Sequence, residues 1–314
     1  MTNLQRTILK IVSIPLLCWA LLLGVAALSS ATAQGERCEG RLISHAMGES
    51  CVPDAPQRVV VLDTGELDSA LALGVKPVGA VTAFGGGTFL EYLDTDGITP
   101  VGTIADPNLE AILALQPDLI LSSRLRHESI YDQLSRIAPT VFTETVGVVW
   151  QDNLLVHGEA LGRGAEAREL LSDYFARAAT LRDGLGTPLP EISVVRFLPN
   201  QIRLYQRASF IGTILEDVGL PRPDAQDVDD FAAIIGDEGI PAMDGDVIFV
   251  TTYGPRQDTD YARVTDTPLW ENLDAVEADN VYNVPDDYWM LGIGIGAANL
   301  VLDDLETFLL EGQD

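Results

Sequence analysis

Two distant stretches of this chain carry nearly the same phrase. PNLEAILALQPDLILSS occupies residues 107–123 and GDEGIPAMDGDVIFVTT residues 236–252. Laid in register they share Glu110/Glu238, Ile112/Ile240, Ala114/Ala242 and Asp118/Asp246, then close on an apolar triplet. The surroundings repeat too. VVVLD and a helix ending in ALALGVKP precede the first copy; SVVRF and a helix ending in ILEDVGLPRP precede the second. The period is far too long for a solenoid. It fits two similar α/β lobes, each built on the same order of strand, helix and strand.

Local patterning agrees. Short apolar runs ending in a polar residue, such as RVVVLD (58–63) and LILSS (119–123), read as strands buried on both faces. They alternate with helices over 64–74, 108–116 and 127–139, the order that βαβ units and parallel sheets require. From residue 152 the spacing turns helical. NLLVHGEALG and GAEARELLSDYFARAATLRDGLG are separated by Gly162 and Gly164, and the second runs unbroken for about five turns. PEISVVRFLP then resumes strand and NQIRLYQRAS pairs with it. A helix near 297–310 ends the chain. The fold class expected is α/β, with two similar lobes of mostly parallel sheet joined by a single long helix and a ligand cleft between them. The segments expected are a signal peptide over 1–33, an N-terminal hairpin over 34–57, an N-lobe over 58–150, a helical connector over 151–187 and a C-lobe over 188–314.

The N-terminus carries Arg6 and Lys10, an apolar run, and ATA at 31–33, which describe a secretory signal peptide. The apolar run approaches membrane-spanning length, but Ser13, Pro15 and the small residues at Ala31 and Ala33 favour cleavage. Neither Cys18 nor Cys38 sits in a good lipoprotein cut site. Export to a periplasmic or extracytoplasmic space is expected. In that oxidising compartment Cys38 and Cys51 are expected to form a disulfide rather than stay free thiols, stapling a hairpin that turns near Met47.

The chain has 47 acidic and 19 basic residues, for a net charge of −28. Nucleic acid is therefore not a partner, because phosphate contacts need basic surface. The bland source of such acidity is a solvated coat. Lysine is almost absent, with Lys10 and Lys76 the only two, while arginine persists. Arginine is kept where planar, bidentate recognition or a paired charge is useful.

PQRVVVLD…ELDSALALGVKPVGA, NLEAILALQPDLIL, YDQLSRIAPTV and PLWENLDAVEADNVY, on this two-lobed plan, resemble the periplasmic-binding-protein type of ABC-importer solute receptor. The closest branch is the iron–siderophore one, whose relatives include cobalamin and haem receptors. The resemblance covers roughly residue 41 to the C-terminus. It implies a receptor that takes up a ferric siderophore between its lobes and hands it to an ABC permease with its ATPase, working as a monomer, with no cofactor and no reaction chemistry. It also implies an exposed glutamate on each lobe that docks into the permease. Glu110 matches the first and Glu238 the second, with Asp237 as a neighbouring candidate. Both are also first-turn acids, which the helix dipole favours without any partner.

For the cleft, the loops after the carboxyl ends of strands matter, since open α/β sheets bind ligands there. The resemblance assigns Arg126 to the N-lobe side, with Arg124 as competitor. Arg196 ends a C-lobe strand, and Arg203 and Tyr205 are two apart, so they share a face. Guanidinium against carboxylate or hydroxamate oxygen gives forked, charge-assisted hydrogen bonds; the plain alternative for each is a surface ion pair. Tyr253, in the turn TTYGPR, and Tyr288 with Trp289, after the strand VYNV, are expected as aromatic cleft residues. Core packing is the alternative for Trp289.

Other signals point away from chemistry. GIGIGAAN (292–299) has dinucleotide-like glycine spacing but lacks the following βαβ unit and distal acid, so it reads as a loop entering a helix. His45, His127 and His157 lie in separate segments, unlike the gathered ligands of a site for bare metal, and no metal site is expected. No nucleophile motif is present and no catalytic residue is expected. The same architecture loaded with cobalamin or haem is the nearest rival, and an exported two-lobed enzyme the more distant one.

Overall fold

The computed structural model describes residues 38–83 and 87–310. The expected signal peptide lies outside them. The first described element is an antiparallel hairpin of β1 (Arg41–His45) and β2 (Gly48–Val52), with Gly48 at φ 123° where a side chain would be strained. A disulfide joins Cys38 to Cys51 across its base. The hairpin rests on the N-lobe sheet through Ala46 N to Phe142 O and Ser50 Oγ to Thr140 O.

That sheet has five strands: β3 (Val59–Val61), β4 (Gly79–Thr82), β5 (Thr99–Thr103), β6 (Leu119–Ser123) and β7 (Thr140–Thr143), in the order β5-β4-β3-β6-β7. Every neighbour pair is parallel. Val59, Val60 and Val61 are all buried, as a strand covered by helices on both faces demands. Helix α1 (Thr64–Ala72) starts at Asp63, whose carboxylate accepts from Thr64 N. Helix α2 (Leu109–Ala114) is capped by Asn108, which accepts from Ala111 N at 3.0 Å. The single helix expected over 127–139 is instead α3 (Arg124–His127), a 3-10 turn and α4 (Tyr131–Leu134). His127 is buried where the break falls, held by Ser122 Oγ at 2.6 Å and Ile104 O at 2.8 Å.

Helix α5 (Trp150–Leu161) ends at Gly162 in the left-handed region, and α6 (Gly164–Leu185) follows at once. With 22 residues, α6 spans about 33 Å at about 1.5 Å per residue. The second sheet comprises β8 (Ile192–Leu198), β9 (Gln201–Tyr205), β10 (Ala232–Ile235), β11 (Val247–Thr252) and β12 (Val281–Asn283), in the order β10-β9-β8-β11-β12. Here β9 runs antiparallel to both neighbours, while β8, β11 and β12 are parallel. Helix α7 (Phe210–Val218) is capped by Ser209 and ends at left-handed Gly219. Short helices α8 (Tyr261–Thr265), α9 (Pro268–Glu271) and α10 (Asp274–Glu277) pack on one face of this sheet.

The last helix, α11 (Ile295–Leu309), touches the second sheet through Phe308, which stacks on Tyr282 and meets Phe249, and extends beyond it. It packs along α6 and reaches α1 and α5. Asp68 of α1, buried, accepts from Gly296 N at 2.8 Å, Ala297 N at 2.9 Å and Tyr92 OH at 2.7 Å. The glycine-spaced GIGIGAAN segment is thus a loop entering a helix, and its own Asp68 carboxylate fills the helix N-terminus. One apolar core runs through α1, α5, α6, α7 and α11, with smaller cores on the outer face of each sheet.

Candidate functional site

Between the two sheets lies a cleft of about 770 Å³. Its wall is assembled where strands end: Thr64 and Arg126 after β3 and β6, Arg196 and Tyr253 at and after the ends of β8 and β11, and Arg203 and Tyr205 from β9. Val146 to Val148, just before α5, and Trp289 to Leu291, before α11, close the remaining sides.

Six of the seven expected ligand-binding residues line this cleft: Arg126, Arg196, Arg203, Tyr205, Tyr253 and Trp289. Tyr288 does not. It turns to α11, where its hydroxyl donates to Asp304 at 2.9 Å and its ring meets Tyr92 edge-on. The two neighbours sit in a π-helical turn, Asp287–Leu291, and share that aspartate, since Trp289 Nε1 donates to Asp304 at 2.8 Å. Trp289 itself is buried against Phe249 at the cleft wall. Arg124 is on the surface, paired with Glu128 and Glu144, and is absent from the wall.

Three guanidiniums face the cleft, and among the described residues no carboxylate lines it. Two of the three are neutralised from behind. Arg126 Nε donates to Asp63 at 2.7 Å, and that carboxylate is buried while the arginine side chain stays 36% exposed. Beside it Glu66 is buried on α1, and burial, with the Asp63 charge second, pushes its carboxyl well above the usual range. His157, facing Glu66 from α5, is pushed down to about 3 by burial and is uncharged at neutral pH.

Arg196 is held more tightly. It is 5% exposed, donates from Nε to Asp286 Oδ1 at 2.7 Å, makes a second contact to Oδ2, and donates from Nη1 to Tyr205 OH at 3.0 Å. Its Cζ lies 4.9 Å from the Tyr253 ring centroid, within cation–π range. Thr251 Oγ1 donates to the same Asp286 at 3.0 Å. Burial raises the Asp286 carboxyl against the opposing pull of Arg196. Arg203 differs. Its Nε donates to the neutral Gln201 amide at 2.8 Å, and among the described residues no carboxylate lies within 4.0 Å of it.

Sequence reasoning missed the apolar part of the wall. Leu125, Val148 and Phe231 are exposed there, and Phe210 and Ile293 border it. Leu125 sits between two arginines and carried no signal of its own. Ser209 could have been found, because it caps α7 in ASFIG.

Glu110, in the first turn of α2, and Glu238, in the 3-10 turn Asp237–Met243, are both exposed and form no ion pair among the described residues. Asp237 is engaged by Arg263 at 2.5 Å, which separates the two adjacent acids. No group of three or more His, Cys, Asp or Glu side chains among the described residues could hold a metal ion. A guanidinium-lined, partly apolar cleft is suited to holding an oxygen-rich anion.

Comparison with known proteins gives the same picture. The model of the periplasmic binding protein family matches residues 59–288. The chain is 40% identical over 298 residues to the probable siderophore-binding lipoprotein YfiY of Bacillus subtilis, covering 90% of this chain and 92% of that one. It is 34% identical over 261 residues to the achromobactin-binding periplasmic protein of Dickeya dadantii, covering 80% and 85%. The crystal structure of Staphylococcus aureus SirA complexed with staphyloferrin B superposes with a TM-score of 0.77 at 35% identity, covering 86% of this chain and 98% of that one.

Proposed function

The chain belongs to the periplasmic binding protein family, and we propose that it captures a ferric siderophore in its cleft and delivers it to an ABC permease. The observation that carries this reading is the contrast between the whole and the site. A chain of net charge −28 presents to its cleft, among the described residues, three arginines and no carboxylate. Three of its relatives are named for binding siderophores, achromobactin and staphyloferrin B. The iron stays in its chelate, and the protein supplies binding and presentation without turnover.

Export by the N-terminal segment, cleaved after Ala33, would put the receptor outside the cytoplasm, where relatives are periplasmic proteins or lipoproteins. Docking would use Glu110 and Glu238, one acid from each copy of the repeated phrase. A single exposed ion pair contributes under about 1 kcal/mol, so two separated contacts act through geometry and steering.

Trp289 at the cleft edge makes tryptophan fluorescence a direct readout. Saturable quenching is expected with ferric siderophores and not with cobalamin or haem. Saturation by cobalamin or haem alone would replace the ligand assignment. Glu110→Ala with Glu238→Ala is expected to leave that titration unchanged and to reduce uptake into cells carrying the matching permease. Normal uptake by the double variant would remove these acids from docking.

A further inference from the structure

Two buried carboxyl groups share the first turn of α1: Asp63 at its cap and Glu66 three residues on. They are not served alike. Asp63 accepts from Thr64 N at 2.7 Å and from Arg126 Nε at 2.7 Å. Glu66 Oε2 has no hydrogen-bond partner among the described residues. Neither has Nδ1 or Nε2 of His157, whose Nε2 lies 4.0 Å from Glu66 Oε1, too far for a hydrogen bond. One guanidinium thus stands before two buried carboxyls and is bonded to one of them. A buried carboxylate ion without donors or a counter-charge of its own takes up a proton instead.

The charged and titratable groups around Glu66 come from three elements. They are Asp63 on its own helix, Arg126 from α3 and His157 from α5, with His127 beside Arg126 facing the Asp63–Arg126 pair. Asp68, also on α1, is occupied elsewhere by Gly296 N, Ala297 N and Tyr92 OH. Burial and the Asp63 charge both favour the acid form of Glu66, and Arg126 opposes them. His157, uncharged at neutral pH, brings no counter-charge. Arg126 is therefore the cation that an ionised Glu66 would lean on. It is also the one N-lobe charge on the cleft wall among the described residues. An anion arriving there would be the third negative group around one guanidinium, and like charges so gathered raise one another's free energy.

We infer that Glu66 is a protonated carboxylic acid in the receptor at neutral pH and that it makes capture of an anionic chelate proton-linked. The inference rests on the receptor reading above. Glu66 does not line the cleft; it is a positioning residue that sets how much of the Arg126 charge is left for the guest. Where Glu66 holds its proton, the guest meets a guanidinium shared with Asp63 alone. Where the pH is high enough to remove that proton, a guest must either bind more weakly or bring one proton back from solvent. The guest and the proton thus assist each other by the same factor.

The test is infrared spectroscopy of wild type minus Glu66→Gln, which isolates the carboxylic-acid carbonyl band of Glu66. The band is followed from about pH 5 to about pH 10 in the empty protein and with ferric staphyloferrin B or a charge-neutral ferric trihydroxamate. Thermal melting checks that the variant is folded, and Glu66→Met replaces it in the subtraction if it is not. The band is expected in the empty protein at neutral pH. The anionic chelate should move its midpoint upward by about 0.5–1 pH unit, and the neutral chelate by less. Read as affinity, wild type should lose about three- to tenfold relative to Glu66→Gln between the acid and alkaline ends, a ratio in which titration of the chelate itself cancels. A band absent at neutral pH, a midpoint that the bound anionic chelate leaves in place, or an affinity ratio constant with pH overturns the inference. Wild type that takes only the neutral chelate, with the midpoint unmoved, overturns it too, yet leaves the receptor reading standing; wild type that binds neither chelate defeats both.

Discussion

The two halves of the molecule use the same five-strand order, and the repeated aspartate does the same job in each. Asp118 N donates to Arg58 O at 3.0 Å and its carboxylate accepts from Gln57 N and Arg58 N at 2.7 and 2.8 Å, just where β3 begins. Asp246 N donates to Glu191 O at 3.0 Å and its carboxylate accepts from Glu191 N at 2.7 Å, just where β8 begins. The halves part company at the neighbouring strand. In the N-half β4 is parallel to β3, so only the loops at strand ends reach the cleft, and one arginine, Arg126, comes from the start of α3. In the C-half β9 turns back antiparallel on β8 after a two-residue turn, which places residues from both sides of the turn at the cleft edge. A hairpin therefore delivers two arginines where a crossover delivers one.

The strongest test of that contrast is to remove the carboxylate-paired arginine from each half. Arg196→Ala is expected to destabilise the protein by about 3–5 kcal/mol, because it strands a buried Asp286 charge. Arg126→Ala should cost about 1–2 kcal/mol, since that side chain is more exposed and Asp63 keeps its bond from Thr64 N. Pairing Arg196→Met with Asp286→Leu should recover most of the loss. Chemical denaturation measures all three variants, and equal costs for the single ones would erase the distinction between the halves.

The pH dependence probes the helix that ties the halves together. Burial pushes the Asp68 carboxyl up to about 6 from 3.8. A raised pKa in the folded state means its stabilising contribution is full below about pH 4 and is lost as pH rises through about 6. His157 has the opposite sign: pushed down to about 3, it favours the folded state above its ordinary value of 6.5 and costs stability on acidification. The difference between wild type and Asp68→Asn isolates the first. Between pH 7 and 4 wild type should gain on the variant by up to about 3 kcal/mol, at 1.36 kcal/mol per pKa unit. A difference flat with pH would mean that Asp68 is ionised throughout.

The smallest effects compare the repeated aspartates. Asp118→Ala removes two charge-assisted bonds and should cost roughly 2–3 kcal/mol; Asp246→Ala removes one and should cost roughly 1 kcal/mol. Denaturant midpoints at constant m-value give both numbers. A reversed order would show that the second copy bears more of its sheet's closure than the first.

Much of this was legible in the residues. Runs such as VVV at 59–61 and VIFVTT at 247–252 announce strands through composition alone, and the helical spacing of 164–185 announces α6. Strands β5 and β10 were not legible, because ITPVGT has proline and glycine in it and AAII is too short to show alternation. The site was legible as residue types after strand ends. It was not legible as orientation: Tyr288 and Trp289 are adjacent, and Asp304 on α11, 16 and 15 positions further along, decides that neither presents its polar atom to the cleft.

What the chain alone determined is the doubling: two copies of one strand-helix phrase, a long helix between them, and arginines kept at strand ends in an acidic protein. Those follow from patterns a few residues long, set by backbone periodicity and burial. Tertiary structure alone decided which arginines are spent on internal carboxylates and where the last helix lies. Arg196 meets Asp286, 90 positions away, and Asp68 meets Gly296, 228 away. Charge pairing across such separations depends on how the lobes pack, and local sequence patterns carry no record of it.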